Sequence, residues 1–286
     1  MKTIEQIHSI AVVGAGTMGA GIAQLAAQAG YNTILYDVED KALRHGIDAI
    51  TDNLTIAVEK GKIDAAEQQR ILSRIHPSGN FSDLAADVVI EAIVERLEIK
   101  TNLFRQLAQL TEADESIFCS NTSSIPITML SAAIPYPERV AGMHFFNPAY
   151  LMKLVEVVSG ERTAEACAKT VFALAVKMGK QPVMAKDKPG FIVNRIGKMY
   201  HTESLRLLEE KVAPVAAIDQ LLESRGFRMG PFRLIDLIGV DANLNVTKSL
   251  YELMQHEPRF RPSDIQQQMV DAGCLGKKTG RGFYRY

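Results

Sequence analysis

"SIAVVGAGTMGAGIAQLAAQAGYNTILYD", residues 9–37, is the stretch on which the fold turns. Ile10 to Val13 is a short apolar run closed by glycine, the pattern of a strand buried on both faces. Gly14-Ala15-Gly16-Thr17-Met18-Gly19 follows without a gap, and a helix-like stretch then runs to Ala29, where Gly30 stops it. A second apolar run, Thr33 to Tyr36, ends at Asp37. Gly14 permits the tight turn, Gly16 lets backbone N–H groups approach a pyrophosphate, and Gly19 lets helix and strand pack closely. Asp37 lies 18 residues after Gly19, where a carboxylate can accept hydrogen bonds from an adenine-ribose diol. A lone G-x-G-x-x-G is a weak signal. With a strand before it, a helix after it and an acid ending the next strand, it reads as a dinucleotide site. The charge of Asp37 would repel a 2′-phosphate and Val38 follows it, so NAD is the expected cofactor; Lys41 and Arg44 leave some use of NADP open.

Working outward, helical periodicity runs from Lys41 to Lys60 and again from Ala65 to Ser73. That is long for a crossover between strands and predicts a helical hairpin. Lys60 and Lys62 belong either to a solvated face or to a contact for an anionic ligand tail. Val88-Val89-Ile90 before Glu91, a helix over 97–110 and a strand at Ile117-Phe118-Cys119 continue the alternation, which predicts a parallel, doubly wound sheet. Ligands of such sheets bind at the carboxyl ends of the strands. "SNTSS", residues 120–124, stands at one of these ends. "MAKDKPGF", 184–191, combines charges with Pro-Gly and reads as a boundary, giving an NAD-binding domain over 1–186 and a helical domain over 187–286. Helical patterns there cover 191–211, 215–224, 241–255 and 263–272. The expected class is α/β: a Rossmann-type doubly wound, mostly parallel sheet with a helical hairpin insertion, then an all-α C-terminal domain.

The totals narrow the function. Across 286 residues, 47% are hydrophobic and 23% charged, close to a soluble globular average. A net charge of -1, with no Lys/Arg run longer than two, speaks against nucleic acid or anionic lipid as partner. Ser9 to Tyr36 lacks charge and is long enough for a bilayer, but glycines, Gln24, Gln28 and Asn32 interrupt it, so no membrane span is expected. Three separated cysteines form no disulfide framework and no C-x-x-C pair, which points to a reducing cytoplasm.

Val140 to Phe145 reads as a further strand with His144 near its carboxyl end. Twelve residues later Glu156 interrupts the apolar run "KLVEVV". A carboxylate in such a run is costly unless it is paired. His144 is its nearest partner if two antiparallel strands meet across a turn at Asn147-Pro148. A buried Glu–His pair orients the ring and raises its basicity, as a general base requires. Spacing alone also allows a structural ion pair. Attack by Ser123 or Ser124 with His144 ranks lower, because no G-x-S-x-G elbow is present. No metal is expected, since no second histidine is near and the cysteines are remote.

Taken together, "VVGAGTMGAGIAQ", "EAIVE", "SNTSS", "HFFNP", "KLVEVV", "KDKPGFIVNR", "MGPF" and "GKKTGRGFY" resemble the 3-hydroxyacyl-CoA dehydrogenases, above all the short monofunctional bacterial type that includes 3-hydroxybutyryl-CoA dehydrogenase. The match runs in order from residue 9 to the C-terminus. The resemblance implies NAD-dependent oxidation of an L-3-hydroxyacyl-CoA, of short chain, to the 3-ketoacyl-CoA, or the reverse. It implies His144 as general base, Glu156 as the carboxylate that orients it, Ser123 as ligand of the substrate's 3-oxygen beside the nicotinamide, and Asn194 as the residue that holds the acyl group. Glu95, Lys100, Asn147 and Lys278 fall where the family contacts the cofactor, and Asn53 and Lys60 where it meets the CoA. The family's helical domain dimerises, so a homodimer is expected. Dehydrogenases of free hydroxy acids, the L-gulonate dehydrogenase branch, share the Rossmann start and a Ser-His-Glu-Asn set. The "HFFNP" context and the lysines of the hairpin favour the CoA thioester. A non-catalytic relative would lack one of Ser123, His144, Glu156 or Asn194, and all four are present.

Overall fold

The computed structural model describes residues 1–111 and 116–286. Backbone contacts divide it into two compact units, Met1–Lys188 and Pro189–Tyr286. The first unit contains, in chain order, β1 (Ser9–Val13), α1 (Thr17–Gln28), β2 (Asn32–Tyr36), α2 (Asp40–Glu59), α3 (Ala65–Leu72), β3 (Ile75–Ser78), β4 (Val88–Glu91), α4 (Leu97–Leu110), β5 (Ile117–Ser120), α5 (Ile127–Ser131), β6 (Val140–Phe145), β7 (Leu154–Ser159), α6 (Glu165–Lys177) and β8 (Gln181–Lys186). The eight strands form one sheet in the order β3-β2-β1-β4-β5-β6-β7-β8. β1 to β6 pair in parallel; β7 runs antiparallel to β6, and β8 parallel to β7. This is the Rossmann-type α/β architecture that the 9–37 stretch predicts.

The central strands are apolar because both faces are covered. All residues of β4, β5 and β6 are buried, as is β1 apart from Ser9. α1 is buried continuously from Gly19 to Ala27, so its small side chains fit between the sheet and α2. The predicted hairpin is α2 and α3, joined by a turn whose Asp64 side chain accepts the Glu67 N–H at 2.6 Å and caps α3. α2 lies back along α1 through Leu43, Gly46, Ile50 and Leu54; a Cβ at Gly46 would press on the Ala15 carbonyl oxygen. β3, α5, α6 and β8 carry no clear pattern in the sequence. β3 and β8 are sheet edges that contain proline and expose much of their length, which removes the alternation that marks a half-buried strand.

The second unit consists of α7 (Val193–Glu209), α8 (Val215–Ser224), α9 (Pro231–Ile238), α10 (Val240–Leu253) and α11 (Asp264–Asp271). α7 starts two residues later than the pattern suggests, because Gly190 and Phe191 both take positive φ (72° and 45°). α9 is not apparent in the sequence. It begins at a proline, which fits the first helical position, and Asp219 of α8 accepts the N–H groups of Phe232 and Arg233 at its start. Leu205, Ile218, Phe232, Ile235 and Val240 form the core of this unit. The glycine-rich tail is held by Asp236, whose buried carboxylate accepts the N–H groups of Phe283 and Tyr284, each at 2.9 Å. Among the described residues no helix is long and apolar enough to cross a membrane.

Candidate active site

β1 is followed by Gly14, whose φ of 104° makes the turn. A Cβ on Gly14 would strike the Ala92 carbonyl, and one on Gly19 would overlap the Gly14 carbonyl oxygen. Above Gly16 nothing lies within 4 Å, so the start of α1 offers open space for a pyrophosphate on its N–H groups. Asp37, just beyond β2, accepts the Ala15 N–H at 2.8 Å and the Glu39 N–H at 3.1 Å. It thus couples the glycine turn to the end of the neighbouring strand. A cleft of about 550 Å³ opens here, walled by Gly14, Gly16, Asp37, Val38, Ile93 and Val94 among others. Its shape, glycine floor and acidic edge fit an adenosine with its ribose diol.

A second recess, of about 340 Å³, lies between α1 and α2 and is lined by Thr17, His45, Asn53 and Tyr150 among others. Asn53 reaches Gln24 Oε1 at 3.4 Å. Lys60 is exposed at the C-terminal end of α2, two turns beyond Asn53.

At the ends of β4 and β5 the structure assembles a polar network. Lys100 of α4 is fully buried, and its Nζ lies 2.6 Å from Glu91 Oε1 and 2.9 Å from Glu95 Oε2. Glu91 also accepts the Ser120 hydroxyl at 2.6 Å and the Ile93 N–H at 2.7 Å. The other Glu95 oxygen holds the "SNTSS" turn, accepting the Thr122 hydroxyl and the N–H groups of Ser123 and Ser124. Burial pushes the Glu95 carboxyl up, but the Lys100 charge and the bonds from Thr122, Lys100 and Ser124 outweigh it and hold it below the usual range. Ser123 is therefore carried on a turn fastened to a carboxylate that is itself fastened to a buried cation.

One strand further on, His144 and Glu156 are register partners of the antiparallel β6–β7 pair. His144 Nδ1 lies 2.7 Å from Glu156 Oε2, with the two side chains 7% and 0% exposed. A carboxylate only accepts, so in the neutral ring Nδ1 carries the proton and Nε2 is the unprotonated nitrogen. The Phe146 ring stands 4.6 Å from the imidazole, centroid to centroid. Because Ser120 and Gly142 are paired across β5 and β6, Ser123 and His144 both emerge at the carboxyl edge of the sheet. The Asn147–Ala149 turn follows. Lys180 ties it down, donating to the carbonyls of Ala149 and Met152 at 2.6 and 2.8 Å, and burial lowers the Lys180 ammonium to about 8.

The first unit thus gathers the glycine turn, Asp37, Glu95, Lys100, Ser123, His144, Asn147 and Glu156 along one edge. Asn194, in the first turn of α7, and Lys278 belong to the second unit, where Lys278 is paired with Asp241 at 2.6 Å. Three supporting residues have no role in the sequence reading. They are Glu91, Lys180 and Asn121, whose side-chain oxygen accepts the Phe145 N–H at 2.8 Å. Only Glu91 left a trace, as a carboxylate closing an apolar run. Among the described residues no group of three or more His, Cys, Asp or Glu side chains could hold a metal ion.

Residues 9–188 match the family model described as "3-hydroxyacyl-CoA dehydrogenase, NAD binding domain", and residues 190–286 match the "3-hydroxyacyl-CoA dehydrogenase, C-terminal domain". The chain is 49% identical over 280 residues to the 3-hydroxyadipyl-CoA dehydrogenase of Escherichia coli K12, covering 97% of this chain and 59% of that protein. To a Deinococcus radiodurans protein named "Probable 3-hydroxybutyryl-CoA dehydrogenase" it is 43% identical, over 96% of this chain and 99% of that one. The crystal structure of (S)-3-hydroxybutyryl-CoA dehydrogenase from Ralstonia eutropha superposes with a TM-score of 0.94 at 38% identity, covering 98% of this chain and 99% of the other.

Proposed function

The chain belongs to the 3-hydroxyacyl-CoA dehydrogenase family, with residues 9–188 as its NAD binding domain, and from this we propose that it catalyses NAD-dependent interconversion of L-3-hydroxyacyl-CoA and 3-ketoacyl-CoA. The observation that carries the reading is the buried His144–Glu156 pair at the carboxyl edge of an NAD-binding sheet. Bound NAD supplies the acceptor for the hydride that leaves C3 of the substrate. His144 Nε2 takes the proton of the 3-hydroxyl, and Glu156 stabilises the imidazolium that forms. Ser123 donates to the 3-oxygen as it becomes a ketone, which places a preorganised dipole where charge develops. Asn194 holds the acyl group, and Asn53 and Lys60 face the CoA. Asp37, Glu95, Asn147 and Lys278 are assigned to the cofactor. Lys100 acts on the same side of the site by fixing Glu95, since its own ammonium is enclosed by two carboxylates. The acyl groups in the relatives' names, hydroxybutyryl and hydroxyadipyl, support short acyl chains as the substrate class.

A second copy of the chain completes the assembly through the helical unit, where Ile196, Leu221, Leu237 and Ile238 are exposed; light scattering should then give twice the chain's mass. Free, buried Cys119 and Cys167 support a reducing compartment, the cytoplasm.

The deciding assay follows NAD reduction with L-3-hydroxybutyryl-CoA against free 3-hydroxy acids. Turnover of the thioester is expected, and turnover of the free acids alone would place the chain in the free hydroxy-acid branch. His144→Ala should lower kcat by about 10²- to 10⁴-fold and leave NADH affinity nearly unchanged in a fluorescence titration. Normal turnover in that variant would remove His144 from the mechanism.

A further inference from the structure

Residues 146–153 join β6 to β7 and so carry the chain from His144 to Glu156, yet little of this loop is packed. Asn147, Tyr150, Leu151 and Met152 are exposed, and of its apolar side chains only that of Ala149 is buried. Ala149 rests on α1, its methyl 3.1 Å from the place a Cβ on Gly21 would take. Tyr150, the next residue, lines the recess that also touches Gly16 and Thr17. The loop therefore bridges the strand that carries His144 and the helix that opens with the glycine turn. Polar contacts fasten both of its ends. At the entry, Asn121 accepts the Phe145 N–H. Further on, Leu151 and Met152 both donate to the Pro148 carbonyl at 3.0 Å, closing a single helical turn. A turn that goes no further leaves its later carbonyls without partners of their own.

Lys180, just before β8, supplies those partners through its Nζ bonds to the Ala149 and Met152 carbonyls. It is 7% exposed, and among the described residues no carboxylate pairs with it. Burial and the charge of Lys153 both work against its ammonium. Such a group is costly to bury, and packing alone would be better served by an apolar chain. What the ammonium offers instead is several protons at one point, enough to grip two carbonyls and fix where the turn lies. We propose that Lys180 is a positioning residue for the cofactor: it holds the 147–152 turn on α1 and so keeps Asn147 in place to bind NAD(H), without touching the cofactor itself. The inference rests on the assignment of Asn147 to the cofactor.

A double-mutant cycle on NADH affinity, read by fluorescence titration, tests it. Asn147→Ala should weaken NADH binding by about 10-fold, the worth of one hydrogen bond. Lys180→Met should weaken it by a similar factor, and Lys180→Arg, which keeps a charged multiple donor, should restore most of the affinity. The double variant should bind no more weakly than Asn147→Ala alone, because with Asn147 gone nothing is left to position. A purely structural lysine would instead add its loss to that of Asn147→Ala. Lys180→Gln carries the same cycle should Lys180→Met fail to fold. Losses that multiply in the double variant overturn the proposal. Native affinity in Lys180→Met beside a loss in Asn147→Ala overturns it too and leaves the assignment of Asn147 standing. Native affinity in Asn147→Ala removes that assignment and the inference together.

Discussion

At the scale of single residues, Glu156 is fully buried and 2.7 Å from His144 Nδ1. An unpaired carboxylate there would cost several kcal/mol, so pairing and orientation of the ring are one requirement met by one contact. Glu156→Gln keeps the shape but removes the charge, and its amide NH₂ can hold the imidazole in the wrong tautomer. The variant should lose on the order of 100-fold or more in kcat, with NADH binding retained; a combined kinetic and fluorescence titration checks both. This pair is legible in the sequence because a turn and twelve residues suffice to bring two strand positions into register. The partners of Lys100 are not. Glu91 and Glu95 reach it from a strand end and the loop after it, Thr122 and Ser123 join through Glu95 from the turn after β5, and no spacing rule relates these positions. Lys198 is hidden for a similar reason: a lysine on an amphipathic helix reads as solvated surface until α10 is seen lying over it.

At the scale of elements, the two helix-side glycines of the β1–α1 turn make opposite demands. Gly16 has open space around the position of a Cβ, whereas a Cβ on Gly19 meets the Gly14 carbonyl. Gly16→Ala should therefore melt close to the native temperature but bind NADH at least about 10-fold more weakly, since the added methyl enters the space for the pyrophosphate. Gly19→Ala should melt lower, by an amount corresponding to about 1–3 kcal/mol of overpacking, and lose NADH binding with it. Calorimetry with and without NADH separates the two. β1, α1 and β2 are readable because burial on both faces leaves unbroken apolar runs cut by glycine. β3 and β8 escape such a reading: as edges they are half-solvated, each contains a proline, and neighbour pairing rather than composition makes them strands.

At the scale of the whole molecule, the N-terminal segment is stitched to the sheet by Asp87, just before β4. Its carboxylate meets Lys2 Nζ at 2.5 Å and accepts the His8 and Ser9 N–H groups at 2.8 and 2.9 Å. Burial alone would raise this carboxyl, but the bonds from Lys2, His8 and Ser9 outweigh it and lower it from 3.8 to about 2. A depressed folded value means stability that is present above pH 4 and lost as pH falls towards 2. Asp87→Asn should be less stable than the native chain at pH 7, and the gap should close between pH 4 and 2 in urea titrations; a gap constant with pH would contradict this account. By itself the sequence determined the dinucleotide fold, the cofactor, the two-part organisation of the resemblance and the His144–Glu156 pair, because each rests on local periodicity, on turn chemistry or on strands joined by one turn. Only the tertiary structure decided that Lys100 is locked between Glu91 and Glu95, that Lys180 anchors the turn after His144, and that Lys198 is buried against the Asn243 carbonyl. Those facts depend on which helices and loops cover which strand ends. Burial and charge pairing between residues far apart in the chain are set by packing, which local pattern does not encode.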